Sequence, residues 1–318
     1  MPAAIMFTGI YTGAVIPPER KYKEMRVGFV GLGIMGSPMC KNILKAGFDL
    51  DVFALEEDVI AEFVKLGAKR ATYAEMGAEC DICMVMVPTG AISKSVMFGP
   101  DGFASTAKPG TIFVDLSSVT AAESRDCYAL AEEKGLKFLD APVSGGEPKA
   151  IDGTLAIMVG GDQDAFDKVK PVFDAFGSSA LLVGPSGAGS ITKLVNQIIV
   201  NNNIAIVGEA FTFAAKAGAD PVKVYEAIRG GLAGSVAMDA KLPMMVARNF
   251  KPGGTIKVNH KDLTNVLKTA HAIDCPVPYT AMLYEIFQSL KVAGHLMDDQ
   301  ASMVTYFEKL ADVTVESK

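Results

Sequence analysis

Short apolar runs alternate with amphipathic segments between residues 25 and 183 of this 318-residue chain. An apolar run bounded by turn residues predicts a buried strand, and an apolar stripe at spacings of three and four predicts a helix. The predicted strands lie near 25–30, 48–53, 82–87, 111–115, 137–139, 155–159 and 181–183, with helices near 37–47, 57–66, 91–97, 121–134 and 163–176. This alternation predicts the α/β class, with a doubly wound, mainly parallel sheet covered by helices on both faces.

Helical periodicity replaces this alternation after Val183 and continues to the end of the chain. A long apolar run without proline predicts a helix from Ser190 to Lys216, with Ser190 as its N-cap. Further helices are predicted near 221–229, 235–246, 261–272, 279–293 and 301–310. We therefore expect a sheet domain over 25–186 and an all-helical domain over 187–318.

Residues 1–24 do not share the pattern of the rest. The segment starts with an uncharged, mildly apolar stretch that lacks a basic region, a compact apolar region and a clean cleavage site. It is predicted to be a non-essential N-terminal extension, and a weak targeting sequence is the alternative. Elsewhere no apolar run reaches about 18 uninterrupted residues, so we expect a soluble protein without a membrane partner.

Three glycines follow the first predicted strand in the spacing GxGxxG and open a helix. In that context the glycines allow a tight turn and a close backbone approach to a pyrophosphate, which lies at the helix N-terminus. The sheet domain is therefore predicted to be a Rossmann-like, dinucleotide-binding domain. The residues assigned to the cofactor in this turn are Gly31, Leu32, Gly33, Ile34, Met35 and Gly36.

The end of the second predicted strand indicates which cofactor is used. Ala54, Leu55, Glu56 and Glu57 stand there, and Glu56 or Glu57 lies about 20 residues beyond the glycines, as a ribose 2′-hydroxyl acceptor does. The same stretch has no arginine for a 2′-phosphate. This pattern favours NAD(H), with NADP(H) as the alternative.

Three loops lie at the carboxyl ends of predicted strands, where ligands bind to such sheets. The loops contain Val87–Pro88, Ser117–Ser118 and residues 140–146. We assign Val87 and Pro88 to cofactor binding. In the last loop Ser144 offers a hydroxyl, and Gly145 and Gly146 let backbone N–H groups approach an anion. A plain Pro/Gly turn is the alternative for that loop.

Lys193 falls in the first turn of the helix predicted from Ser190, where the helix dipole disfavours a cation. Asn196 and Gln197 flank it one turn further on. A lysine placed against its own electrostatics is a candidate for catalysis, and a lysine that reaches out to solvent is the alternative.

Lys261 and Asp262 form a second candidate, an adjacent charged pair at a predicted helix start. A solvated helix start is the alternative for this pair.

Charge and cysteine content exclude several classes of protein. The net charge is -6 and no basic block is present, so we expect no nucleic-acid partner. Five cysteines are an odd number in a long chain, which fits free thiols in a reducing compartment and predicts a cytoplasmic location. The three histidines are scattered, and the CxxC at Cys80 and Cys83 lacks a second pair, so we expect no metal site.

Four motifs together resemble the β-hydroxyacid dehydrogenase family. They are GLGIMG at 31–36, DAPVSGG at 140–146, GAGSITKLVNQ at 187–197 and HKDL at 260–263. The resemblance implies a Rossmann-like domain, an all-helical C-terminal domain, and an NAD(P)-dependent oxidoreductase that acts on a small hydroxy acid or its aldehyde. One departure stands at Ala54 and Leu55, where relatives commonly carry Asp or Asn followed by Arg. It leaves the choice between NADH and NADPH open.

The resemblance also implies roles for the candidate residues. Lys193 would be catalytic, with Asn196 assisting it. Ser144, Gly145 and Gly146 would hold the substrate. The wall of the cofactor and active-site cleft would contain Lys261, Ser118 and Asp262.

Members of this family are usually dimers or tetramers, so a homodimer or homotetramer is expected. Two other functions stay open. One is a dehydrogenase or reductase for another small β-hydroxy acid, such as 3-hydroxyisobutyrate. The other is a nucleotide-binding sensor without catalysis, which the intact Lys193 and Asn196 disfavour.

Overall fold

The computed structural model describes residues 22–317, with side chains from Met25 onward. The first strand begins at Tyr22, so the predicted N-terminal extension overlaps its first residues. The rest of that extension, residues 1–21, lies outside the described residues.

Within the described range, nine strands form one sheet. They are β1 (Tyr22–Val30), β2 (Phe48–Phe53), β3 (Lys69–Arg70), β4 (Ile82–Val85), β5 (Ile112–Asp115), β6 (Lys137–Asp140), β7 (Val143–Ser144), β8 (Leu155–Gly161) and β9 (Gly177–Gly184). Their order is β3-β2-β1-β4-β5-β6-β8-β7, with β9 also paired to β8. Strand β8 runs antiparallel to β6 and β7, and the other pairs are parallel. The mainly parallel sheet is thus confirmed.

Helices connect these strands. They are α1 (Gly36–Lys45), α2 (Glu57–Lys65), α3 (Tyr73–Glu79), α4 (Gly90–Phe98), α5 (Ala121–Glu133), α6 (Gly146–Asp152) and α7 (Gln163–Phe176). The sequence analysis missed α3 and α6. A capping box formed by Thr72 and Glu75 starts α3, whose seven residues are too short for a clear period. Helix α6 begins inside the stretch predicted to be a loop.

Alternate residues of the central strands belong to different apolar clusters. On β4, Ile82 and Met84 pack into one cluster, and Cys83 and Val85 pack into another. Because successive side chains of a strand point to opposite faces, the two clusters are the two covered faces of a doubly wound sheet.

The second half of the described range is helical, as predicted. Its helices are α8 (Ala188–Lys216), α9 (Pro221–Ile228), α10 (Val236–Val246), α11 (Ile256–Ala272), α12 (Pro278–Val292) and α13 (Val304–Ala311). The start predicted for α11 was wrong, because the Thr255 hydroxyl caps the helix by accepting the Val258 N–H at 3.3 Å. Lys261 and Asp262 therefore lie in its second turn and not at its start.

Helix α8 connects the sheet to the helical half. By length and composition alone it could cross a membrane. Its Ile204 and Phe211 are instead buried in the core of the helical half, together with residues such as Leu263 and Phe287. A stripe of its apolar side chains, from Ile191 to Phe213, remains exposed.

Candidate active site

The glycine turn, residues 31–36, lies between β1 and α1, at the point where the strand order reverses. Gly31 has a φ of +102°, and a Cβ there would overlap the Met86 carbonyl oxygen. A Cβ on Gly36 would overlap the Gly31 carbonyl oxygen, whereas one on Gly33 would meet no atom within 4 Å. Packing thus requires the first and third glycines, and the second leaves the backbone open to a ligand.

Among the described side chains, none caps the N-terminus of α1. Unpaired amides at a helix start favour an anion, so the turn fits the pyrophosphate of a dinucleotide. Leu32 is buried, Met35 is half-buried and Ile34 is 55 % exposed. The Val87 side chain lies beside Gly31. The Val87 N–H donates to the Ser117 hydroxyl at 3.0 Å, and this hydrogen bond joins the loops after β4 and β5. Pro88, the next residue, is exposed.

A groove of about 680 Å³ runs from the glycine turn to the end of β2. Gly33 and Ser37 line one part of it, and Glu56 and Val59 line another. The Glu56 carboxylate does not cap α2. The neighbouring Glu57 is held by Arg70 through two hydrogen bonds of 2.7 Å. Of the two acidic residues that the sequence left open, Glu56 therefore shares a groove with the cofactor turn.

The pairing of Arg70 with Glu57 was not predicted from the sequence. Arg70 lies 13 residues beyond Glu57 in the sequence, and only the pairing of β3 with β2 brings the two together.

The start of α8 is held by a carboxylate from the sheet. Asp140, at the end of β6, accepts the Gly187 and Ser190 N–H groups at 2.7 Å each. Ser190 is therefore not the N-cap that we predicted. It lies inside the helix, and its buried hydroxyl bonds to Ser124 at 2.8 Å. A Cβ on Gly189 would overlap the Met158 carbonyl oxygen, so this glycine serves backbone packing.

Lys193 lies in the second turn of α8, because the helix begins at Ala188. The prediction that Lys193 lies in the first turn was therefore wrong. The helix dipole acts mainly over that turn, so its effect on Lys193 is weaker than we expected. Burial lowers the pKa of Lys193, the nearby Lys261 lowers it further, and Asp262 opposes both. The nitrogen of Lys193 has no carboxylate of residues 25–317 within 4 Å, so this cation is not used in a salt bridge.

Asp262 gathers three partners from different parts of the chain. Its carboxylate accepts the Ser118 hydroxyl at 2.8 Å, the Gln197 amide at 2.5 Å and the Lys261 ammonium at 3.0 Å. Lys261 also donates to the Ser118 carbonyl at 2.6 Å, and the Asn265 amide donates to it at 3.2 Å. The structure thus brings Ser118 from the sheet to Lys261 and Asp262 from α11.

The substrate loop predicted at 144–146 meets α8 at Asn196. The Ser144 hydroxyl donates to the Asn196 side-chain oxygen at 3.3 Å, and the Asn196 amide donates to Gln197 at 2.9 Å. Gly145 and Gly146, both at positive φ, form the start of α6. One polar chain therefore runs from Ser144 through Asn196 and Gln197 to Asp262.

Gln197, Asn259 and Asn265 were not assigned a site role from the sequence. Asn265 stands four residues after Lys261 and Asn259 three before Asp262, so helical spacing from the HKDL motif could have identified both. Among residues 25–317, no group of three or more His, Cys, Asp or Glu side chains could hold a metal ion.

Two family models match the chain. The NAD-binding domain of 6-phosphogluconate dehydrogenase matches residues 26–184. The NAD-binding domain of NADP-dependent 3-hydroxyisobutyrate dehydrogenase matches residues 187–307. Together they span almost all of the described range.

Relatives match over nearly their full length. The chain is 41% identical over 289 residues to 2-hydroxy-3-oxopropionate reductase of Escherichia coli, which covers 91% of this chain and 99% of the relative. It is 36% identical over 295 residues to 2-(hydroxymethyl)glutarate dehydrogenase of Eubacterium barkeri, covering 92% of this chain and 98% of the relative.

A crystal structure of 3-hydroxyisobutyrate dehydrogenase from Salmonella typhimurium shares the fold, with a TM-score of 0.80 and 30% identity over 89% of this chain and 100% of that one. The relatives differ in the hydroxy acid that their names give, but all these named relatives are oxidoreductases of hydroxy acids. The chain therefore belongs to the β-hydroxyacid dehydrogenase family of NAD(P)-dependent oxidoreductases.

Proposed function

We propose that this enzyme interconverts tartronate semialdehyde (2-hydroxy-3-oxopropanoate) and D-glycerate, with Lys193 as general acid and base. The observation that carries the proposal is the half-buried Lys193 ammonium, which lies near Asp262 and Lys261 without forming a salt bridge to a described carboxylate. The 41% identity to the Escherichia coli reductase supports the choice of substrate. The stretches at 145–161, 227–241 and 248–252 also resemble that reductase more than other members of the family.

The proposed role of Lys193 follows from where charge grows in the reaction. When bound, the nicotinamide supplies or accepts the hydride at the reacting carbon. During reduction negative charge develops on the aldehyde oxygen, and the Lys193 ammonium donates a hydrogen bond and then a proton to it. Because burial lowers the pKa of Lys193, the proton leaves more readily, and in oxidation the neutral amine accepts the proton of the hydroxyl group.

The proposed substrate site is the loop at 144–146. The Ser144 hydroxyl and the N–H groups near Gly145 and Gly146 suit a carboxylate, because these glycines at positive φ turn backbone amides toward an anion. The Asn196 side-chain oxygen accepts a hydrogen bond from the Ser144 hydroxyl and so orients it. Asn196 also lies about one helical turn from Lys193. In this proposal Lys261, Asp262 and Ser118, which bond to one another, line the cofactor and active-site cleft.

The substrate is tested by following NADH absorbance while the purified enzyme meets tartronate semialdehyde, with methylmalonate semialdehyde as comparator. We expect fast consumption with the first aldehyde. Consumption with the comparator alone moves the assignment to another β-hydroxy acid, and no consumption with either favours a nucleotide sensor.

The catalytic assignment is tested by Lys193→Met, which removes the ammonium and keeps most of the side chain. We expect kcat to fall by about a hundredfold to ten-thousandfold, with the NADH dissociation constant nearly unchanged. Lys216→Met, at the exposed far end of the same helix, is the matched control and should keep full turnover. Near-wild-type turnover of the Lys193 variant contradicts the assignment.

For the cofactor we propose a preference for NADH. Glu56 shares the groove with Gly33 and suits the two ribose hydroxyl groups, and Glu57 holds Arg70 in a double hydrogen bond. We expect kcat/KM to be higher with NADH than with NADPH. Glu57→Gln weakens the hold on Arg70 and should raise kcat/KM with NADPH, whereas Asp58→Asn, at an exposed position of the same helix, should not.

For the assembly we propose a cytoplasmic homodimer or homotetramer. The apolar stripe of α8 supports contact with a second copy, because Val195, Ile199 and Ile206 stand half exposed along one face and Phe213 is 75 % exposed. Light scattering after gel filtration should give a multiple of the 33.5 kDa chain mass, and Phe213→Glu should reduce it. If Phe213→Glu has the same mass as the wild-type oligomer, the contact between subunits does not depend on this stripe of α8.

A further inference from the structure

A buried aspartate organises the loop that precedes α11. Asp299 is fully buried, and its carboxylate accepts the Lys241 ammonium at 2.7 Å and the Ala301 N–H at 2.9 Å. The other oxygen accepts the N–H groups of Gly253 and Gly254, each at 3.0 Å. The two successive amides of this glycine loop, residues 253–254, are thus held by one carboxylate.

The glycine loop lies against the proposed substrate loop. A Cβ built on Gly146 would stand 3.7 Å from the Gly253 carbonyl oxygen, so a single methyl group would fill the space between the two backbones. On its other side Gly254 faces Asn259, whose side-chain oxygen accepts from Gln197 at 3.2 Å. The loop therefore lies between the substrate loop and the polar chain that leads to Asp262.

Lys241 is the cation that balances the buried Asp299. The lysine side chain is only 15 % exposed, and the carboxylate side chain is completely buried. Removing one partner of such a pair leaves an uncompensated buried charge, so the remaining partner must shift or take up water. A shift of Asp299 moves the two amides that it holds, and with them the wall beside Gly146.

We propose that Lys241 and Asp299 act as a positioning pair, which holds residues 253–254 against Gly146 and so sets the affinity for the carboxylate substrate. The inference rests on the proposed function of the 144–146 loop. Neither residue touches the reacting atoms in this scheme. Their effect belongs to substrate binding, since Asp299 bonds to the loop and not to Lys193.

The test compares Lys241→Met with Arg26→Met. Arg26 lies on β1 and pairs with the buried Asp51 at 2.9 Å, in the sheet and not in the helical half that contains residues 253–254. Both variants therefore remove the cation from an ion pair whose carboxylate is buried. We expect Lys241→Met to raise KM for the aldehyde acid about tenfold with kcat within about twofold, and Arg26→Met to leave KM unchanged.

Two further measurements separate positioning from general destabilisation. Lys241→Arg, which keeps the charge, should restore most of the affinity. Hydrogen–deuterium exchange of a peptide covering 250–256 should quicken in Lys241→Met and not in Arg26→Met, because only in the first variant do the Gly253 and Gly254 amides lose their fixed acceptor. If Lys241→Met does not fold, Lys241→Gln replaces it in both measurements.

The outcomes distinguish this inference from the proposed function. If the wild type consumes a different aldehyde acid, the KM values of the variants are measured with that substrate. The test of the Lys241–Asp299 pair is otherwise the same. If it consumes none, exchange at 250–256 decides whether the pair holds the loop. Equal KM values for the Lys241 and Arg26 variants, or unchanged exchange, overturn the positioning role.

Discussion

Two glycine-containing turns in this molecule each open a helix, and they do so for different purposes. At the glycine turn, a Cβ on Gly33 would meet no atom within 4 Å, and no described side chain caps α1. At the start of α8, Asp140 accepts the Gly187 and Ser190 amides, and Gly189 packs against the backbone of β8. The first start is open to a ligand anion and the second is closed by the protein's own carboxylate.

The difference shows that glycine spacing identifies a place where another group comes close to the backbone. It does not show whether that group is a ligand or another part of the protein. At α1 the approaching group is proposed to be a dinucleotide, and at α8 it is another part of the chain. The free or occupied state of the first-turn amides decides between the two. Variants at the two turns should therefore separate stability from cofactor binding.

The largest effect is expected from Gly189→Ala. Its Cβ would stand 2.5 Å from the Asp140 carbonyl oxygen and would overlap that of Met158, and neither backbone atom can move without shifting a strand. Overpacking of this kind should lower the free energy of unfolding by about 3 kcal/mol, measured by urea denaturation. Gly33→Ala is the control, with a change below about 0.5 kcal/mol. Equal stability of the two variants would falsify the contrast.

A smaller loss is expected from Asp140→Asn. The carboxylate accepts from two amides with two oxygens, and an asparagine has only one acceptor, so one amide at the start of α8 is left buried without a partner. The free energy of unfolding at pH 7 should fall by about 2 kcal/mol. Asp126→Asn is the control, because the Asp126 side chain is exposed on α5 and forms no hydrogen bond or ion pair with the described residues. A loss as large in the control means that the amides of α8 do not depend on Asp140.

Gly33→Ala should weaken NADH binding while the fold persists. The added methyl group projects into the open side of the turn, where a close backbone approach is needed. The NADH dissociation constant, measured by fluorescence titration, should rise about tenfold, which corresponds to about 1.4 kcal/mol. Gly230→Ala lies outside the turn, its Cβ would also meet no atom within 4 Å and its φ is not positive, so it controls for the substitution itself. An unchanged constant means that the cofactor does not approach Gly33.

The smallest effect concerns the charge at the start of α8. Burial, together with the Asp140 charge on the neighbouring strand, raises the pKa of Asp115 to about 6, against the hydrogen bonds from Ser93 and Ser117, which lower it. Because this pKa lies above the ordinary value of 3.8, the folded state binds the proton more tightly than the unfolded state. Asp115 therefore adds stability below about pH 4, and this stability is lost as the pH rises through about 6.

Asp140→Asn should lower the pKa of Asp115, so that the loss of stability is complete at a lower pH. The change in free energy between pH 4 and 6 should differ from the wild type by less than about 1 kcal/mol. Urea denaturation across this range measures it, and the carboxyl carbon signal of Asp115 in NMR reports the pKa directly. A higher pKa in the variant contradicts a charge on Asp140.

The sequence by itself determined the fold class, the order of most elements and the family. Apolar periodicity is a local property, so it located β2 and α7 to the residue and most other elements closely. It failed for α3 and α6, which are seven residues long, and for the start of α11, where the polar cap Thr255 precedes the apolar pattern.

Only the tertiary structure decided which groups meet. Ser118 bonds to Asp262 across 144 residues, Asp140 replaces Ser190 in capping α8, and Arg70 reaches Glu57 through the pairing of two strands. These contacts depend on how the sheet and the helices pack, and periodicity carries no signal for them. The same packing surrounds Lys193, so burial sets the direction of its pKa shift.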